Sequence, residues 1–178
     1  YLSVPSFVKP DFIHKYGYIL SRAASILIKK KVFGGFLHKY VHLSKRKYIS
    51  AEDLKITPPI ADLYVAGSDQ IWNSQYNEGI DEGFFLTFVS DTPKISFASS
   101  FGKTCLENWE IEKTKNYLSK FKALSVREKS AVELIKQFGM KATCIIDPTL
   151  QLGRQQWIKL ASKRLVKEKY IILMLLYN

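Results

Sequence analysis

Cysteine is scarce in this sequence. Cys105 and Cys144 are the two present, in segments that read as a loop and a buried strand, which excludes a disulfide framework and a thiolate zinc site. That usage fits a reducing cytoplasm. Long apolar runs are missing as well: the longest, Tyr170 to Tyr177, is far too short to cross a bilayer, and no signal peptide is visible, though a segment ahead of Tyr1 would be free to carry one. A soluble protein is the expectation. There is neither a glycine-rich dinucleotide fingerprint nor a phosphate-loop consensus, which argues against NAD enzymes and P-loop NTPases. Histidine is limited to His14, His38 and His42. His38 and His42 have the i, i+4 spacing of metal sites, but no acid or cysteine stands with them, so no metal is expected.

Acids are nearly absent from one region. Residues 1–50 hold ten Lys and Arg against Asp11 alone, whereas residues 51–178 hold seventeen against fifteen acids, so most of the net charge of +11 is local. Such a segment suits anionic lipid, nucleic acid or a polyanionic substrate, but a solvated helical face is the more common reason for such a charge run. What is plentiful is core material: 47% of the 178 residues are hydrophobic and 13% aromatic, enough for an ordinary globular domain.

Residues 12–48 read as two short amphipathic helices, with Ile19, Ala23, Ile26 and Leu27 on one stripe and Phe36, Leu37, Tyr40 and Val41 on another, separated by Gly34-Gly35. From Asp62 onward short apolar runs alternate with helical periods, the signature of βαβ units and a Rossmann-like parallel sheet. The runs are Leu63–Ala66, Ile95–Ala98, Leu124–Val126, Thr143–Ile146 and Tyr170–Leu176. Helices are expected over Leu106–Phe121, over Glu128–Phe138 with Gly139 past its end, and over Gln155–Leu165. The charged link Lys163–Lys169 marks a boundary, giving a basic helical segment at 1–50, an α/β domain at 51–167, and the first strand of a second domain at 168–178. With no initiator methionine and a strand at the very end, the chain reads as truncated at both ends.

Ligands of open parallel sheets bind beyond the carboxyl ends of the strands, where helix N-termini and loop amides converge. Polar residues follow each of the first four runs. Gly67, Ser68, Asp69, Gln70, Trp72 and Asn73 follow the first: glycine permits close backbone approach, Asp69 suits a sugar hydroxyl as orienter or base, and Trp72 suits stacking on a pyranose. A turn with an Asx-type hydrogen bond and a half-buried indole explains the same residues. Ser99, Ser100, Phe101 and Gly102 follow the second run as an anion cradle. Arg127 and Glu128 follow the third, at a helix N-terminus where a guanidinium can grip a carboxylate or phosphate, or form a salt bridge to Glu128 or Asp147. Asp147-Pro148-Thr149 follows the fourth, and architecture is expected there more than catalysis.

Taken together, Asp62-Leu-Tyr-Val-Ala-Gly-Ser-Asp-Gln-Ile-Trp-Asn73, Phe84-Phe-Leu-Thr-Phe88, Ile95-Ser-Phe-Ala-Ser-Ser-Phe-Gly102, Ala123-Leu-Ser-Val-Arg-Glu128 and Ile146-Asp-Pro-Thr-Leu150 resemble the polysaccharide pyruvyl transferase family in order and spacing. The resemblance implies a GT-B-like pair of Rossmann domains with the site between them, of which this chain carries most of the first. It implies phosphoenolpyruvate as donor, no cofactor, and a sugar of a surface polysaccharide such as a capsule or exopolysaccharide, or its lipid-linked precursor, as acceptor. A further arginine and histidine are implied in the second domain, so this chain by itself is expected to be inactive. The expected roles are donor binding for Arg127 and the Ser99–Gly102 loop, and handling of the acceptor hydroxyl for Asp69. The expected location is the cytoplasm, with a peripheral contact through residues 1–50 at the inner face of the membrane left open and no nucleic acid expected.

Two other readings stay in view. A GT-B glycosyltransferase using a nucleotide-sugar would share the fold. A non-catalytic module gripping nucleic acid or membrane through residues 1–50 is the other, with polar strand ends far from the basic segment weighing against it.

Overall fold

The structure is a computed structural model that describes residues 12–164 and 166–173, the side chains of 12–22 and 24 excepted. The chain divides into two compact units, Tyr1–Lys47 and Tyr48–Asn178. In the first, helix α1 runs unbroken over Phe12–Tyr40. The expected pair of helices is therefore one. Glycine costs a helix interior only about 1 kcal/mol, and Gly34-Gly35 sits between long helix-forming stretches that carry the turn through. No helix among the described residues is long and apolar enough to cross a membrane.

The second unit opens with α2 (Ala51–Ile56), capped where the Ser50 hydroxyl accepts from the Asp53 amide. A four-stranded parallel sheet follows in the order β1-β2-β3-β4: β1 Tyr64–Asp69, β2 Lys94–Ser99, β3 Ser125–Val126 and β4 Thr143–Cys144. Turns over residues 70–92 join β1 to β2, α3 (Asn108–Leu118) joins β2 to β3, and α4 (Lys129–Gln137) joins β3 to β4. In a sheet that grows one strand at a time in one direction, right-handed crossovers all fall on the same face. The core lies there. Alternation along β2 sends Lys94, Ser96 and Ala98 inward, while Val65 (51% exposed) and Phe97 (38%) show on the other face.

Under the inward face, Trp72 stacks on Phe85 with centroids 5.6 Å apart and meets Phe101 and Phe121 at 5.2 and 6.0 Å. Ala131, Leu134 and Ile135 of α4 complete the cluster with Leu118 and Val126. Side chains close the short β2–β3 ladder: Ser96 Oγ donates to the Ser125 carbonyl and accepts from its amide, while Ser125 Oγ donates to the Ser96 carbonyl.

Later elements are shorter than the periodicity suggests. β4 ends at Cys144 and both of its residues are exposed, so Cys144 lies at a sheet edge, not in a buried strand. The helix expected over Gln155–Leu165 spans Arg154–Leu160 (α6) after a short α5 (Pro148–Gln151), and neither buries a residue. Residues 166–173 carry no strand. The rest of that expected run, Met174 to Leu176, and Leu165 lie outside the described residues.

Lys94 is an unusual core member. It is buried at the start of β2, its ammonium donates to the Leu86 carbonyl at 2.7 Å and sits 5.4 Å from the Phe121 ring centre. Burial holds its pKa below the ordinary lysine value. A folded form that gives up this proton more readily than the unfolded chain gains stability as pH rises through the folded value toward about 10.4. Denaturant midpoints followed from neutral pH upward should show that gain in the parent relative to Lys94→Met.

Candidate functional site

The residues that follow the strands meet at the carboxyl edge of the sheet. β1 ends in Asp69, held at φ 79°, a left-handed geometry that aspartate tolerates better than most residues. Two glycines make the approach possible. A Cβ on Gly67 (φ 131°) would collide with the Phe97 carbonyl of β2, and one on Gly102 (φ 65°) with the side-chain amides of Gln70 and Asn73. Backbone bonds then tie the first two strand-end loops together: Ser100 N donates to the Asp69 carbonyl at 2.9 Å and Trp72 N to the Ser100 carbonyl at 3.1 Å.

Arg127 stands at the end of β3, and its three kinds of nitrogen reach three carboxylates. Nε donates to Glu128 Oε1 at 3.0 Å, Nη1 to Asp147 Oδ2 at 3.0 Å and Nη2 to Asp69 Oδ1 at 3.2 Å. The guanidinium thus links loops from β1, β3 and β4. Burial alone would lower its pKa, but the bonds to Glu128 and Asp147 outweigh that and raise it. Asp147 is the most firmly held acid: the Thr149 hydroxyl and amide both donate to its Oδ1, and these bonds, with Arg127, keep its carboxyl below the usual range. Glu128 is the N-cap of α4 but makes no side-chain cap bond. Its Oε1 faces Arg127, and its Oε2 is buried with no hydrogen-bond partner.

A second polar network joins the first two strand-end loops to α3. The Lys103 ammonium donates to Ser74 Oγ at 2.7 Å and pairs with Glu110, whose side chain is 1% exposed. Glu110 Oε1 also accepts from the Glu107 amide at 2.8 Å, which completes a capping box at the start of α3. Burial pushes the Glu110 carboxyl up, yet the bonds from Lys103, the Glu107 amide and Ser74 together leave it below its ordinary value. Ser74 comes from the first loop, Lys103 from the second and Glu110 from α3, so the network fastens one loop to the other.

The sequence-predicted residues divide between cluster and scaffold. Asp69, Arg127 and Glu128 come together. Gly67 and Gly102 allow the close approaches above, and Ser68 and Gln70 lie in the first loop, where Gln70 accepts from the Asn73 amide nitrogen at 2.9 Å. Trp72 does not face a sugar: at 3% exposure, with rings packed around it, its indole is core. Phe101 is buried in the same cluster. Asn73 Oδ1 accepts from the Gln75 and Tyr76 amides, the Asx-type turn that was the other reading of this loop. Ser99 and Ser100 are fully buried; Ser99 Oγ donates to the Ala66 carbonyl, and Ser100 Oγ accepts from the Gly102 amide. The amides of Ser100 and Gly102 are thus committed within the protein, and this loop supports the site where an anion cradle was expected.

Asp147, expected to be architectural and a salt-bridge partner open to Arg127, is the third carboxylate on that guanidinium. One feature went unread in the sequence. The Lys103–Glu110 pair had one local sign, the Glu107-x-x-Glu110 capping pattern before a helix. Among the described residues, no group of three or more His, Cys, Asp or Glu side chains gathers in a way that would hold a metal.

Comparison with known proteins returns one family: the sequence model described as polysaccharide pyruvyl transferase matches residues 3–176. No curated protein and no solved structure matches the chain significantly.

Proposed function

Since the chain belongs to the polysaccharide pyruvyl transferase family, a family of transferases, we propose that it serves transfer of pyruvate from phosphoenolpyruvate to two hydroxyls of a saccharide, forming a ketal. The observation that carries this reading is the convergence of Asp69, Arg127, Glu128 and Asp147 beyond the carboxyl ends of parallel strands. Such a sheet presents ligands there. A GT-B-like partner domain facing this edge would complete the cleft.

Phosphoenolpyruvate carries a carboxylate and a phosphate, and a planar guanidinium is the side chain suited to grip either of them. A general acid delivers a proton to the methylene carbon, leaving C2 electrophilic. One sugar hydroxyl adds to C2 and gives up its proton to a base, the role assigned to Asp69. The C2–O bond to phosphate breaks, phosphate leaves with the bridging oxygen, and a second hydroxyl adds as its proton is removed. One proton gained at carbon and two lost from oxygen balance against the protonated inorganic phosphate released. The acceptor is a sugar of a surface polysaccharide or its lipid-linked precursor, and no cofactor enters the scheme. The ten cations of residues 1–50 support contact between that segment and an anionic membrane surface at the cytoplasmic side.

The full-length protein incubated with phosphoenolpyruvate and a panel of saccharides tests this. Expected is acceptor-dependent release of inorganic phosphate with a matching gain in acceptor mass of one pyruvate less one water. Turnover of a nucleotide-sugar with phosphoenolpyruvate ignored would overturn it in favour of glycosyl transfer.

A further inference from the structure

As the cluster stands, one cation faces three carboxylates, an arrangement that repels an anionic ligand. A ligand that needs Arg127 must therefore take a place one of these acids now holds. They are not equivalent. Asp147 is fixed by two bonds from Thr149 in addition to Arg127. Glu128 neighbours Arg127 in sequence, starts α4 and has one oxygen buried. Asp69 has an exposed side chain (79%), the longest of the three contacts at 3.2 Å, and a position at the tip of a strand-end turn. Its carboxylate can leave without exposing a buried charge or breaking a helix start, and the terminal nitrogen it vacates is the atom a ligand carboxylate or phosphate would seek.

We propose that Asp69 is an internal stand-in for the donor. Its carboxylate occupies Arg127 Nη2 in the empty site, is displaced when an anionic donor binds, and is thereby released beside that donor to take the acceptor's proton. This rests on the donor reading above and adds to it an order of events: the donor binds first, and only then does the base become free. Arg127 is kept oriented between turnovers by Glu128 and Asp147, which remain in place.

The consequence runs against the usual effect of mutating a site residue. Removing the competing carboxylate should strengthen donor binding. Calorimetric titration of phosphoenolpyruvate into the full-length protein, its Asp69→Asn variant and its Asp147→Asn variant tests this. Since an exposed ion pair of this kind is worth up to about 1 kcal/mol, Asp69→Asn should bind the donor roughly fivefold more tightly. The same variant should lose acceptor-dependent phosphate release, and Asp147→Asn should bind the donor no better than the parent. A side chain with a merely structural role would not give tighter binding together with lost turnover. Equal or weaker binding by Asp69→Asn, with the parent binding normally, would overturn the displacement while leaving the donor reading intact. Binding by Asp69→Asn alone would support it in its strongest form. Absence of binding by both would overturn the donor reading and the displacement with it.

Discussion

Replacing Arg127 with alanine is expected to lower pyruvyl transfer by about 10²–10³-fold, the usual effect of removing a charge stabiliser from a preorganised site. The loss has two sources. A donor held by the guanidinium would forfeit it, and Asp69, Glu128 and Asp147 are left without the cation that each of them now contacts. Arg127→Lys keeps the charge but cannot reach three carboxylates from three nitrogens, so it should recover only part of the activity. Steady-state phosphate release, with thermal melts to confirm that both variants fold, measures the effect. Activity near that of the parent in Arg127→Ala would remove this residue from the mechanism.

The largest stability effect is expected at Glu110. Glu110→Ala leaves the Lys103 ammonium largely buried, with the Ser74 hydroxyl as its remaining contact, and removes the acceptor for the Glu107 amide. Breaking a buried ion pair from one side costs about 3–5 kcal/mol, against a total of about 5–15 kcal/mol for a typical domain. Urea unfolding should show that loss. The double variant Glu110→Ala with Lys103→Met should recover part of it, since the uncompensated charge is then gone. An equal loss in both variants would mean that helix capping, not the ion pair, is what Glu110 supplies. Because its carboxyl sits below the ordinary range when folded, the stabilisation is present above the unfolded carboxylate value. It should fade as pH falls through the lower folded one.

How far the sequence could be read depended on the range of the interaction. The first four apolar runs and the helix expected over Glu128–Phe138 follow from local periodicity, and strands and a helix stand at those places, while the described part of the fifth run carries no strand. The convergence of Asp69 and Arg127, 58 residues apart, was accessible through a general rule: polar residues that follow parallel strands end up on one edge. What no local pattern encodes is the direction a side chain takes from an irregular loop. Trp72 lies in such a loop, and only the positions of Phe85 and Phe101 decide that its indole faces the core. The Lys103–Ser74 contact spans 29 residues of chain, and a lysine after a glycine gives no hint of burial. The reading of Gly34-Gly35 as a break failed for the opposite reason: a modest local preference was overridden by the helix on either side.

Whether this sheet edge holds phosphoenolpyruvate through Arg127 is decided by calorimetric titration of that compound into the full-length protein and its Arg127→Ala variant, at low and physiological salt. Expected is micromolar binding to the parent that weakens with salt and is lost in the variant. Binding of equal strength to both proteins would place the donor elsewhere, and binding of a nucleotide-sugar with none of phosphoenolpyruvate would rule out phosphoenolpyruvate as the donor.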